Sequence, residues 1–342
     1  MEEFAAGSEV SGEDQSSARR FDGARVLIMG GIGFIGTRLA ARLAAAGARV
    51  TILDNLALDA GANPLHADLL RPHADIHIGD IRDTALVTSL LRGQDYLFNL
   101  AARIAHSDSM LHPLEDLDVN ARAQVTLLDA CRTTNPEIRI VHASTRQVYG
   151  RPRMLPVSED HPLQPPDVNA VNKLAGEMFH MLYHQVYGTR STVLRITNTY
   201  GPGMRIRDGR HTFIGLWFRA ILEDTPFEVW GGDQFRDLTW VEDVVDACLA
   251  ATDDRATGEV FNVGGAEPMP LLQLAELLVE VAGRGSFVAI PYPADRAAIE
   301  IGSFVADASK IGRMLGWRPR TSLRDGIAET LRYYERFGSS YT

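Results

Sequence analysis

Four glycines within seven residues, Gly30, Gly31, Gly33 and Gly36, could do one piece of chemistry together: offer bare backbone N–H groups to a phosphate. Glycine is needed for that because such a turn uses backbone angles that side chains forbid and because the chain must come close to the anion. A helix beginning at the turn would aim the positive end of its dipole at the same spot. Such a turn can also be purely structural, so its context matters. The next apolar run, Arg49 to Leu53, ends in Asp54, near the distance expected for an acid that holds an adenosine ribose. That carboxylate would repel a 2′-phosphate, which favours NAD over NADP. A third observation concerns cations: only Lys173 and Lys310 are lysines among 34 Lys plus Arg. In a chain that otherwise uses arginine, these two are candidates for a chemical role.

The elements that must position these groups can be read from hydrophobic periodicity. Val26 to Met29 is an apolar run of strand length. After the glycines, Ile35, Leu39 and Leu43 recur four apart until Gly47 closes the pattern as a C-cap would, giving strand, tight turn, helix. Residues 55–73 read as loop or irregular helix. Ile76 to Ile78 is a short strand ending in Gly79-Asp80, whose acid could reach an adenine. Tyr96 to Leu100 is another, closing in Ala101-Ala102, small enough for a cofactor to lie against the backbone. Leu114 to Arg132 and Lys173 to Tyr187 read as long helices, Ile138 to Ala143 and Thr192 to Ile196 as strands. This alternation predicts an α/β fold, a doubly wound parallel sheet covered on both faces, with ligands gathered beyond the carboxyl ends of the strands.

From Gly201 onward the alternation weakens, and loops such as GPGMRIRDGRH and WGGDQFRD interrupt short helices. The expected organisation is a disordered tail over residues 1–20, rich in Glu, Ser, Ala and Gly without periodicity, then a dinucleotide-binding domain over 21–200. A smaller substrate-binding lobe takes most of 201–342, with a strand near Val260 to Val263 returning to the main sheet. Leu271 to Val281 and Ser322 to Phe337 read as surface helices.

A chain of 342 residues with 45% hydrophobic content can bury a large core. The net charge of −10 argues against nucleic acid as the main partner, so any anionic ligand must be met by local arginines. No apolar run approaches membrane-spanning length and the start lacks a signal-peptide core, so a cytoplasmic protein with no membrane partner is expected. Cys131 and Cys248 sit in the apolar patterns LLDACR and VVDACLAA and read as buried thiols rather than a disulfide framework. No metal site is expected.

Gly30-x-x-Gly33-x-x-Gly36, Asp54-Asn55, Gly79-Asp80, Asn99-Leu-Ala-Ala, Ser144-Thr-Arg-Gln-Val-Tyr-Gly150, Asn169-x-x-x-Lys173, Arg195-x-x-Asn198-x-Tyr-Gly-Pro202 and Arg236-Asp237 occur in that order. Together they resemble the extended short-chain dehydrogenase/reductase family, its nucleotide-sugar epimerases and dehydratases, from about Ala24 to about Tyr334. The resemblance implies an NAD-binding Rossmann fold. It implies cofactor contacts from Gly30, Gly33, Phe34, Ile35, Gly36, Asp54, Asn55, Asp80, Ile81, Leu100, Ala101, Ala102 and Lys173. It also implies a homodimer in which helices 114–132 and 173–187 pair with their copies in a four-helix bundle.

Members of that family oxidise a sugar hydroxyl with tightly held NAD, act on the ketone and return the hydride. A Tyr-x-x-x-Lys pair moves the proton, since a phenol with pKa near ~10 is a poor base at neutral pH unless a cation stabilises its anion. Four residues before Lys173 stands Asn169. A carboxamide does not titrate, and loss of a general base costs roughly 10²- to 10⁴-fold. Three explanations compete. His106, just past the strand ending at Ala102, is the first candidate for a replacement base. Alternatively Thr145, Lys173 and a water relay the proton, or the protein binds cofactor and ligand with little catalysis. A subgroup of epimerase-like proteins is similar to this chain in the STRQVYG and DVN-x-x-NK runs, which implies that Asn169 is a subgroup trait.

Within the Ser144 to Gly150 run, the resemblance puts Thr145 in the place of the catalytic Ser or Thr. The next two positions, Asp-Glu in 4,6-dehydratases, are Arg146 and Gln147 here, which fits redox epimerisation better than elimination or decarboxylation. Asn198, Arg236 and Arg296 match positions that hold a nucleotide diphosphate, a task for which arginine's planar fork is suited. Arg205, Arg207, Arg210 and His211 crowd a loop that could close over a ligand or simply be solvated. The expected function is an NAD-dependent nucleotide-sugar epimerase acting through a transient ketone. The alternatives are a dehydratase or oxidoreductase on a related glycosyl substrate, and a nucleotide-sensing binding protein.

Overall fold

The computed structural model describes residues 20–58, 61–208, 212–293 and 300–341. Its frame is a parallel sheet of seven strands. Six come from the first part of the chain: β1 (Arg25–Met29), β2 (Arg49–Asp54), β3 (Ala74–Ile78), β4 (Tyr96–Asn99), β5 (Arg139–Thr145) and β6 (Arg190–Ile196). The later strands are β7 (Asn198–Tyr200), β8 (Pro226–Trp230), β9 (Phe235–Arg236), β10 (Leu238–Trp240), β11 (Val260–Val263), β12 (Met269–Pro270) and β13 (Ser286–Ile290). Of these, β11 joins the main sheet beside β6, giving the order β3-β2-β1-β4-β5-β6-β11. The chain changes direction across the sheet between β1 and β4, and a crevice opens there beyond the carboxyl ends of the strands.

Burial on both faces explains the unbroken apolar run of β1. Val26 and Ile28 pack on one side with Leu39 and Leu43 of α1 (Phe34–Ala45). Leu27 and Met29 point to the other, where they meet Leu127 and Leu128, because successive strand side chains alternate. The remaining helices are α2 (Pro64–Leu70), α3 (Thr84–Leu91), α4 (His106–Leu111), α5 (Pro113–Leu117), α6 (Ala123–Thr134), α7 (Val168–Tyr187), α8 (Phe213–Leu222), α9 (Val241–Ala250), α10 (Leu271–Ala282), α11 (Ser309–Leu315) and α12 (Leu323–Phe337). A separate core forms where α8, α10 and α12 pack around Trp217, Phe218, Leu274 and Ile327.

Several boundaries differ from the sequence reading, each for a local reason. The segment 114–132 is helical throughout, as expected, but carries a π-helical turn over Asp118–Arg122 between α5 and α6. α7 starts five residues before Lys173, at Val168, because Asp167 caps it by accepting the Ala170 N–H at 2.8 Å; Gly188, at φ 72°, ends it. The segment 55–73 holds α2, capped by Asn63 with a proline in its first turn. In the 201–342 region, α9, β11 and α11 contribute Val244, Phe261 and Ile311 to the first core rather than the second. Lys310 ties α11 to β11, its Nζ donating to the Val260 carbonyl at 2.9 Å and facing Glu259 at 2.8 Å. Of the expected tail, residues 1–19 lie outside the described residues, while Arg20 donates to Thr252 Oγ1 at 3.2 Å. Cys131 and Cys248 are free and buried, and burial pushes both thiols up to about 12. Among the described residues no helix is long and apolar enough to cross a membrane, and no group of three His, Cys, Asp or Glu side chains is placed to hold a metal ion.

Candidate active site

The turn after β1 is shaped for a phosphate, and its glycines do different things. Gly30 has φ 78°, and a Cβ there would stand 2.8 Å from the Ala101 nitrogen. At Gly36 a Cβ would meet the Gly30 carbonyl oxygen at 2.2 Å, so the first turn of α1 can lie against the strand end only with glycine. Gly33 is different: its Cβ would have one neighbour, the Gly30 oxygen at 3.3 Å. The space it leaves faces both of the large cavities at this turn, and no side chain caps the start of α1 at Gly33. An open cradle at a bare helix N-terminus is what a pyrophosphate requires.

The first cavity runs from this turn to the ends of β2 and β3, walled by Asp54, Asn55, Asp80, Ile81 and the backbone of 100–102. Both Asp54 oxygens accept backbone donors, Ile32 N–H and Leu56 N–H, each at 2.9 Å. Burial raises the Asp54 carboxyl and these two bonds oppose it. Asp80 takes a fork from Arg82 at 2.8 Å and a bond from Asn55 Nδ2 at 3.2 Å. The Arg82 hydrogen bond, foremost, holds that carboxyl down near about 2.

The second cavity shares Gly30, Gly33, Leu100 and Ala102 with the first and continues over Phe34, Ile35 and Gly36. Its far end gathers His106, Thr145, Asn169, Lys173 and Asn198. The two cavities thus form one trough across the glycine turn, with the carboxylates of Asp54 and Asp80 at one end and His106 and Lys173 at the other. Lys173 Nζ donates to the Ala143 carbonyl at 3.0 Å. Burial pushes its ammonium down to about 8, with Asp116 opposing. Thr145 closes β5, and its hydroxyl oxygen accepts the Gln147 N–H at 3.2 Å.

Asn169 lines this cavity but spends its amide elsewhere. Its Nδ2 donates to the Arg103 carbonyl at 2.7 Å and to Asp116 Oδ2 at 2.8 Å. The wholly buried Asp116 also accepts from Asn172 at 2.8 Å and Asn120 at 3.0 Å, so one carboxylate organises three carboxamides. Asn120 sits in the π-helical turn and grips the Arg103 peptide, accepting its N–H at 3.2 Å and donating to its carbonyl at 3.0 Å. His106 begins α4, and its Nδ1 lies 2.9 Å from Asp167 Oδ2.

Of the residues expected to meet a diphosphate, Asn198 lines the second cavity and accepts from Arg146 Nη2 at 3.2 Å. Arg236 lines neither cavity. It is buried, donating to the Gly302 carbonyl and to Glu300 Oε1, both at 2.7 Å. Arg296, Arg210 and His211 lie outside the described residues. Arg205, which lines the second cavity, pairs with Asp208 and donates to the Leu58 carbonyl. The sequence reading missed Asp116, Asn120, Asn172 and Asp167. Only Asp167 carried a signal, an N-cap residue directly before an apolar-periodic run.

A seven-stranded parallel sheet with a glycine-rich phosphate turn, an acid after β2 and a lysine beside the far end of the trough defines a dinucleotide-dependent enzyme fold. The chain belongs to the NAD-dependent epimerase/dehydratase family, whose model matches residues 26–264. It is 32% identical over 317 residues to a UDP-glucose 4-epimerase of Mycolicibacterium smegmatis, covering 91% of this chain and 98% of that protein. It is 31% identical over 339 residues to UDP-glucuronate 4-epimerase 3 of Arabidopsis thaliana, covering 91% and 76%. The solved UDP-glucuronic acid 4-epimerase of Bacillus cereus, in complex with UDP-glucuronic acid and NAD, superposes with a TM-score of 0.81 at 26% identity over 92% of this chain and 99% of that one. NAD is accordingly the cofactor, and the open cradle at Gly33 with a carboxylate, Asp54, along the same trough fits it.

Proposed function

We propose that the protein is an epimerase of a nucleotide-diphosphate sugar, working through a transient ketone with an atypical proton-transfer site. The observation that carries this is the meeting of Thr145 and Lys173 with the glycine turn in one trough, within a chain similar to sugar-nucleotide 4-epimerases. Bound NAD would supply a hydride acceptor for the carbinol carbon and return the hydride afterwards. Gly30, Gly33 and the start of α1 would hold its pyrophosphate, Asp54 its adenosine ribose, and Lys173 the nicotinamide ribose. Thr145 would fix the reacting sugar oxygen by hydrogen bonding. Asn198 and Arg236, with Arg296, would take the substrate diphosphate, for which Arg236 must exchange Glu300 for phosphate oxygens.

The two residues after Thr145 favour epimerisation over elimination. Expelling a hydroxyl across a C–C bond needs an acid and a base there. Instead Arg146 lies over the Phe304 ring, 5.2 Å from its centroid, and Gln147 reaches toward Asp167 at 3.4 Å. The active form is proposed to be a homodimer. Val171, Met178, Leu182 and Val186 make an exposed apolar stripe along α7, with Leu114 and Leu117 exposed on α5, a face that a second copy would cover.

The test is to incubate purified protein with UDP-glucose, UDP-glucuronic acid and dTDP-glucose, monitoring products by NMR and mass spectrometry. An epimer of unchanged mass, formed without accumulating NADH, is expected from at least one. Loss of water would identify a dehydratase. NAD bound stoichiometrically with no turnover across the panel would identify a binding protein.

A further inference from the structure

We infer that His106, poised by Asp167, is the proton acceptor of this site, and that Asn169 has become a brace for the loop that carries it. This rests on the reading of the second cavity as the sugar-oxidising centre. Four observations converge.

His106 opens onto the same cavity as Thr145 and Lys173. Its side chain is one-third exposed, while that of Asp167 is fully buried, so the ring faces the trough with the carboxylate behind it. The 2.9 Å contact from Nδ1 to Asp167 Oδ2 puts a proton on Nδ1 and leaves Nε2 as the acceptor, because an ionised carboxylate can only accept. Nε2 makes no hydrogen bond among the described residues. Burial raises the Asp167 carboxyl, but the His106 hydrogen bond, helped by the Ala170 N–H and Gln147, brings it below its ordinary range, which keeps it ionised.

Asp167 is itself fixed by the fold. Its other oxygen caps α7 through the Ala170 N–H at 2.8 Å, and Lys173 stands on that helix. The cap therefore sets the histidine and the lysine in one register.

The loop before α4 is held by the residue that replaces the phenol. Asn169 donates its side-chain N–H to the Arg103 carbonyl at 2.7 Å, and its backbone N–H to Ser109 Oγ at 3.1 Å. Ser109 Oγ in turn donates to the His106 carbonyl at 2.7 Å. A tyrosine could not make the first of these bonds with a carboxamide's geometry.

The proton leaving the sugar hydroxyl as its carbon is oxidised passes to Nε2, and the same nitrogen returns it when the ketone is reduced. The charged groups facing this ring are Asp167, bonded to it, and Lys173 across the cavity. Asp116 and the Arg103–Glu115 pair lie on the elements behind it.

Asp167→Asn is the discriminating change, since asparagine still caps a helix well but no longer dictates the histidine tautomer. His106→Gln should lose roughly 10²- to 10⁴-fold in kcat and keep its bound NAD. Asp167→Asn should fold, lose activity, and shift the ¹⁵N spectrum of the His106 ring from a single Nδ1-protonated tautomer to a mixture. Turnover of His106→Gln within about threefold of wild type would overturn the assignment, as would an unchanged tautomer in Asp167→Asn. If wild-type protein turns over no sugar nucleotide, the epimerase reading fails, and the ¹⁵N tautomer still decides whether Asp167 poises the ring.

Discussion

Replacing Asp116 with asparagine should reveal how much of the site rests on one buried carboxylate. Asp116 accepts from Asn120 and Asn172 on Oδ1, at 3.0 and 2.8 Å, and from Asn169 on Oδ2 at 2.8 Å. The substituted amide can turn its oxygen toward the first two donors, but its own NH₂ then confronts the NH₂ of Asn169. One charge-assisted bond, worth about 1.5–3 kcal/mol, is lost, and two more fall to neutral strength. Relief of the carboxylate's desolvation returns part of this, leaving a net cost of about 2–4 kcal/mol. At ~2.1 cal/mol/K of unfolding entropy per residue, a chain of 342 residues loses about 1.4 °C per kcal/mol, so Tm should fall by about 3–6 °C. There is a second effect, on charge. Asp116 opposes the burial that pushes Lys173 down to about 8; without it the ammonium loses its proton at still lower pH. Bound NAD measured after gel filtration should therefore begin to decline at a lower pH in the variant than in the wild type. A melt within about 1 °C of wild type, together with unchanged NAD content, would refute this account of the network.

Two further outcomes can be checked independently. Burial pushes His66 down to about 4 and His180 to about 3, and lowers His142 well below the ordinary 6.5; the His142 and His180 rings also stack at 4.3 Å. The unfolded chain takes up these protons near pH 6.5 while the native chain refuses them. Stability is therefore full above that pH and falls as pH drops toward 4, by about 1.4 kcal/mol per unit for each histidine; denaturant titrations with equal midpoints at pH 7.5 and 5 would contradict it. On the α7 stripe, Met178→Glu with Leu182→Glu puts charges on side chains 62% and 47% exposed in the single chain. Light scattering should show a folded monomer for that variant and a dimer for the wild type, and a monomeric wild type would remove the dimer proposal.

The sheet was legible because its signals are local. β1 shows as four consecutive buried apolar residues, and the glycine turn shows because backbone angles and close approach select glycine by type. The Asp54 end of the trough was read in the same way, since Asp54 and the small residues at 101–102 line it as expected. The other end was not, because its geometry depends on pairings across distant segments. Arg236 and Glu300 are 64 residues apart, His106 and Asp167 61, and no periodicity links such pairs. The π-helical turn inside the 114–132 helix was also hidden, because it adds one residue to the hydrogen-bond spacing without changing composition.

Asn169 and Gln147, which the family resemblance marks as departures, both end on the same structure. Asn169 holds the loop leading to His106 through the Arg103 carbonyl, while Gln147, where a dehydratase would carry an acid, points its amide at the oxygen of Asp167 that meets His106. Neither residue can titrate, yet both bond to groups that position one that can. The substitutions are therefore coupled, and restoring a phenol at 169 alone would not rebuild the usual site. It would take one donor from Asp116 and leave the Arg103 carbonyl to Asn120 alone, weakening the hold on the loop before the histidine while the new hydroxyl gained no place prepared for it. On the proposed mechanism, oxidation and hydride return belong to Thr145, Lys173 and the trough, and the proton is assigned to His106 and Asp167, which the cap of α7 holds in register with Lys173.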